Sequence, residues 1–180
     1  MLCAMGTLYR GWCLTAAGQA GEGLALLEHG LAAYRGAGTS LWTPFFLSIM
    51  ADAHIKACQS EQGMKYLAEA ARVIDDTQER WVEAEVHRLQ AELTAGMGDP
   101  VEAEACFHRA LATAERQDAR LWKLRAATGL ARLWRIAGRC GEARDFLMPV
   151  YNWFTEGFTT PDLKEAKALL DELDAQAQDG

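Results

Sequence analysis

Apolar residues recur along this chain at steps of three and four. In the first stretch Leu2, Met5, Leu8, Tyr9, Trp12 and Cys13 take up much of a helical circumference, so residues 2–17 predict a helix that needs neighbours on more than one side. The same rhythm predicts helices over about 20–35, 42–58, 60–75, 80–96, 99–117, 120–137 and 141–155. In the third of these, Pro44 suits the first turn, and Phe45, Phe46, Ile49 and Met50 supply the core side. Pro149 removes a backbone donor from the eighth and is expected to kink or shorten it. Next, Thr159-Thr160-Pro161-Asp162 offers a capping hydroxyl, a first-turn proline and an early acid. Leu163, Ala166, Leu169, Leu170 and Leu173 then form one apolar stripe, which predicts a capping helix over 161–174. The tail from Gln176 to Gly180 is expected to fray. No segment alternates apolar and polar residues as a strand does, so the predicted class is all-α.

The pattern repeats. Gly98-Asp-Pro-Val-Glu-Ala-Glu-Ala-Cys-Phe-His-Arg-Ala-Leu111 reads as a tight turn followed by a helix with proline in its first turn. Related stretches begin at Gly18 and Gly138, and a weaker one at Cys58, so the anchors stand 40 residues apart each time. A period of this size marks stacked helical hairpins. The expected architecture is a right-handed solenoid of four hairpins, at about 1–40, 41–79, 80–118 and 119–158, closed by the helix of 159–175. Within each hairpin Gly23, Gly63, Ala103 and Ala143 hold one position, where a small residue lets two helices approach closely. Repeat arrays normally carry polar ends. None precedes Leu2, so the natural chain is expected to extend upstream of Met1.

The pattern of Gly98, Glu102, Ala103, Phe107, Ala110 and Leu111 resembles the tetratricopeptide repeat family, whose usual unit is about 34 residues. A narrower resemblance rests on residues 98–111, on Leu124-Arg-Ala-Ala with Leu130-Ala-Arg-Leu-Trp134, and on residues 153–166. These resemble the C-terminal end of certain bacterial proteins in which a class III adenylate cyclase-like domain and a signalling ATPase module precede a helical repeat array. That resemblance implies a regulatory, partner-binding segment of a larger signalling protein. Nothing of the cyclase or the ATPase lies in this chain, so no activity carries over and the chain is not expected to be an enzyme.

Charge and composition narrow the partners. Half of the 180 residues are apolar, and the net charge of -7 with a pI near 5.1 argues against a nucleic-acid binder. No apolar run reaches the roughly 18 residues of a membrane span, and no basic stretch opens a signal peptide. Five cysteines, at 3, 13, 58, 106 and 140, form no C-x-x-C pair and read as small buried side chains in a reducing cytoplasm. His54 with Cys58, and Glu83 with His87, are four apart on one helix, but zinc-type sites usually need four ligands, so structural roles are expected. No metal, cofactor or catalytic group is expected. Most of the six tryptophans are expected in the core.

One constellation suggests a surface. Trp12, Asp52, Glu92 and Arg132 share a repeat position, as do Met5, Phe45, Glu85 and Arg125. In tetratricopeptide-like arrays the first helices line the concave side. The expected groove therefore carries Asp52, Glu85, Arg88, Glu92, Arg125, Arg132 and Arg135. A Glu92–Arg132 ion pair is the structural alternative for those two, at about 0–1 kcal/mol. Residues 109–144 hold nine basic side chains against three acids, between acidic flanks, which suits an acidic peptide, a phosphate-bearing ligand or another domain of the same polypeptide. Leu2, Met5, Leu8, Tyr9 and Trp12 form the second expected surface, an N-terminal contact face for an upstream domain or a homodimer. Two functions remain: a protein-interaction scaffold, or a sensor binding a small molecule inside the superhelix, which would need an enclosed apolar pocket.

Overall fold

The structure, a computed structural model, describes residues 2–38 and 40–178, with side chains up to Gln176. Among the described residues nine helices form: α1 (Leu2–Ala16), α2 (Ala20–Gly36), α3 (Thr43–Lys56), α4 (Ser60–Thr77), α5 (Glu83–Gly96), α6 (Pro100–Arg116), α7 (Arg120–Ile136), α8 (Cys140–Asn152) and α9 (Pro161–Gln178). The chain is an all-α array of helical hairpins with a C-terminal helix, as its period predicts. It divides into two compact units, residues 1–89 and 90–180, with the boundary inside α5.

The 40-residue anchors are the helix stops. Gly18 (φ 83°), Cys58 (φ 58°), Gly98 (φ 87°) and Gly138 (φ 76°) are all left-handed. The residue after each donates its N–H to the carbonyl five positions back, at Leu14, His54, Thr94 and Trp134, which satisfies an orphan carbonyl of the ending helix. Cys58 adopts this conformation without glycine's freedom, which is why its copy of the pattern is the faintest in the sequence. Asp99 then caps α6 by accepting the Glu102 N–H at 3.0 Å, with Pro100 in the first turn.

In the first unit, α1 and α2 approach along glycines. A Cβ on Gly11 would lie 2.8 Å from the Gly23 carbonyl oxygen, and one on Gly23 would lie 2.5 Å from Thr15 Cγ2. Leu8, Leu27, Leu47, Met50 and Leu67 are buried there, and Tyr34 meets Phe46 edge-on at 4.8 Å. The Tyr34 hydroxyl donates to the Leu41 carbonyl, tying the end of α2 to the link before α3.

In the second unit, Phe107, Leu130, Trp134, Leu147, Leu169, Leu170 and Leu173 share one core. Leu163 and Ala166 continue it onto Leu124. The stripe of α9 is thus buried against α7 and α8, and each leucine buried there stabilises by about 1.5–3 kcal/mol. Asp162 stands 40 residues after Trp122, so α9 begins where a fifth repeat would begin. One detail differs from expectation: Thr160 does not cap α9 through its hydroxyl, which donates to the Gly157 carbonyl at 2.8 Å. Pro149 lies inside α8, which ends three residues later at Asn152, short of the 155 of the sequence pattern, as the proline predicts. The tail expected to fray from Gln176 stays helical to Gln178, the end of α9, and residues 179–180, like residue 39 of the glycine-rich link, lie outside the described residues.

Candidate functional site

The expected groove residues are placed largely in intramolecular pairs. Asp52, on α3, accepts the Trp12 indole N–H at 3.4 Å and the Lys56 ammonium at 2.6 Å. Arg88 grips Glu85 through two bonds, at 2.7 and 2.9 Å, with both side chains close to full burial. Glu92 is half-buried and engaged within the molecule. Arg125 holds Asp162 bidentately, at 2.7 and 3.2 Å, and its guanidinium lies 5.1 Å from the centre of the Trp122 ring. Arg132 bonds Glu165 and Arg135 bonds Glu172.

These last three pairs give the arginines of the basic fourth repeat acidic partners within the chain. The acids of α9 lie against the arginines of α7, and Asp174 adds a further pair with Arg144 of α8. The acidic C-terminal flank answers the basic segment from within the chain. The Glu165 partner also replaces the expected Glu92–Arg132 pair for Arg132.

The five residues of the expected N-terminal contact face differ in exposure. Leu8 is fully buried. Tyr9 packs on Phe45 and Phe46, at 6.5 and 6.1 Å, and Trp12 reaches Asp52, so both turn to α3. Met5 is half-buried, and Leu2 alone among the five is widely exposed. The sequence pattern missed this because a helix with apolar residues all round does not say which side its next neighbour takes.

The cysteine and metal expectations can be placed too. Cys106 is buried, which pushes its thiol up from the ordinary value, and Cys140 is half-buried, whereas Cys3, Cys13 and Cys58 are exposed, contrary to expectation. His54 is buried, stacked on Tyr66 at 5.3 Å, with Nδ1 on Gln59 Oε1 at 2.7 Å. Glu83 bonds Arg80 at 2.7 Å. Among the described residues no three potential ligands converge on a metal-sized site.

The tryptophans supply what the sequence reading missed. Trp134 is core and Trp12 and Trp122 are half-buried, but Trp42, Trp81 and Trp153 are 39%, 42% and 55% exposed. In the first unit Trp42 and Trp81 meet edge-on, with ring centres 6.5 Å apart, and Phe45 backs Trp81 at 5.2 Å. The half-buried carboxylate of Glu79 joins them: it accepts the Trp42 backbone N–H at 2.9 Å on each oxygen and the Trp81 indole N–H at 2.9 Å. Leu41 beside them is 60% exposed. A sequence signal existed: Leu41, Trp81 and Leu121 share one repeat position, at the start of each first helix, and all three are exposed. In the second unit a cavity of about 120 Å³ is lined by Arg120, Lys123, Pro149, Val150, Trp153 and Phe154.

Comparison with known proteins agrees with this geometry. The sequence model of the tetratricopeptide repeat family matches residues 82–151. The crystal structure of a Podosopora anserina putative kinesin light chain with nearly identical TPR-like repeats is similar at a TM-score of 0.67 and 17% identity, covering 97% of this chain and 88% of that one. A variant of the same Podosopora anserina protein is similar at a TM-score of 0.65 and 17% identity, covering 98% of this chain and 96% of that one. No curated protein matches the chain. At such identities the likeness concerns the fold. The chain carries a tetratricopeptide-like helical repeat region.

Proposed function

We propose that this chain is a protein-interaction module that presents a helical array to a partner protein in the cytoplasm. Repeats of this kind generally mediate protein–protein contacts, and the observation that carries the reading here is the exposed apolar patch of Leu41, Trp42 and Trp81. Contact surfaces between proteins are enriched in tryptophan, and contiguous exposed apolar patches mark them. The resemblance of residues 98–166 to the ends of bacterial cyclase-like and ATPase proteins supports a regulatory role within a larger signalling polypeptide. The sensor alternative calls for a pocket of about 300–1,000 Å³, larger than the Arg120–Trp153 cavity of about 120 Å³.

The test is native mass spectrometry of the chain recovered from its own cells, as wild type and as Trp42→Ala/Trp81→Ala. The expected outcome is a second polypeptide retained by the wild type and lost from the double variant, at equal helicity. A retained small molecule, with no protein, would replace this reading by the sensor.

A further inference from the structure

We infer that Trp42, Trp81 and Glu79 form a site for an arginine side chain of the partner. The inference rests on the interaction reading above and adds the chemistry of what enters the patch.

Three observations converge. The first is the arrangement itself. Two partly exposed indole rings stand at 67° to one another, and one carboxylate bonds the backbone of the first and the indole of the second. Ring faces attract cations, and a guanidinium is the cation that also stacks flat and bonds a carboxylate through its fork. Glu79 accepts two donors, and a carboxylate has about four lone-pair sites, so its remaining capacity suits N–H donors.

The second is that the chain already builds this recognition within its other unit. Trp134 donates its indole N–H to Glu104 at 2.8 Å, Arg139 bonds the same carboxylate at 3.3 Å, and the Arg139 guanidinium lies 4.6 Å from the centre of the Trp134 ring. The pair of Trp81 and Glu79 repeats the indole–carboxylate half of that triad at the surface. Trp42 adds a second ring.

The third is the backbone of Trp42. Its φ of 63° is left-handed, a rare state for a bulky side chain, and the equivalent positions Val82 and Trp122 do not share it. The bond from its N–H to Glu79 holds that conformation and with it the ring.

The test follows the indole N–H signals of the full chain by nuclear magnetic resonance. The probes are three blocked tripeptides, Gly-Arg-Gly, its lysine version and its citrulline version, which keeps the shape of arginine without the charge. Trp42 and Trp81 are assigned from Trp42→Phe and Trp81→Phe spectra. The expected result is a saturable shift of these two signals, with arginine binding about fivefold tighter than lysine or citrulline. Glu79→Gln should weaken it by a similar factor, with its melting temperature recorded beside the wild type. If neither signal moves, if citrulline or lysine matches arginine, or if the Trp153 signal responds instead, the inference is overturned. If the peptide fails while partner retention still depends on Trp42 and Trp81, the arginine chemistry falls and the interaction reading stands.

Discussion

Leu8 shows what one residue can report. Because its side chain is fully buried beside Gly30, Leu8→Glu would place an unpaired charge in the core and should cost several kcal/mol. It should therefore unfold the first hairpin rather than alter association, and a melting curve next to that of the exposed Leu2→Glu will separate the two. The small position within each hairpin is equally sharp. Ala103 is fully buried, and Ala103→Leu should destabilise by about 1–3 kcal/mol through overpacking. Gly23 sits at the same position with still less room, so Gly23→Leu should cost more than Ala103→Leu. Equal melting temperatures for the two variants would contradict the shared geometry.

At the scale of the element, α9 is held in two ways whose strengths differ. Its ion pairs to Arg132, Arg135 and Arg144 are partly exposed and each should contribute about 0–1 kcal/mol, weakened by salt. Its leucines are buried, and Leu170→Ala should cost about 2–5 kcal/mol. Hydrogen exchange of the α9 amides should accordingly change little between low and high salt and greatly in Leu170→Ala. If salt alone released α9, the ion pairs rather than the stripe would be its main hold. Arg125 is the exception among the pairs, being bidentate, half-buried and stacked by Trp122. Arg125→Met should therefore cost more than Arg132→Met.

For the whole molecule the relevant quantity is charge. With a pI near 5.1 the chain should be least soluble near that pH and more soluble on either side. Its helices should not melt there for want of ion pairs. Hydrogen bonds from Arg109, Lys123 and Arg139 hold the Glu102, Glu115 and Glu142 carboxyls below the ordinary carboxylate value. A carboxyl depressed in the folded state adds stability that is present above its unfolded value and is lost as pH falls through the folded one. These contributions should thus persist through the solubility minimum and fade only in stronger acid. Light scattering and circular dichroism against pH will test this, and loss of helix at the solubility minimum would contradict it.

The linear pattern alone determined the helices, their 40-residue period and the stops at 18, 58, 98 and 138, because capping, glycine conformation and 3.6-residue periodicity are local effects. It also determined the small position at Gly23 and Ala103, since the period repeats it. Partner choice between side chains was not local, and tertiary structure decided it. Arg132 stands 40 residues from Glu92 in the pattern yet bonds Glu165, because packing the stripe of α9 onto α7 brings that acid within reach. Tyr9 and Trp12 look like an uncovered face in one dimension and turn to α3 in three. Trp42 and Trp81 read as core until the left-handed turn at residue 42 and the carboxylate of Glu79 hold both rings at the surface. Hydrophobicity says that a side chain gains from burial, while the turn before its helix decides whether burial is available to it.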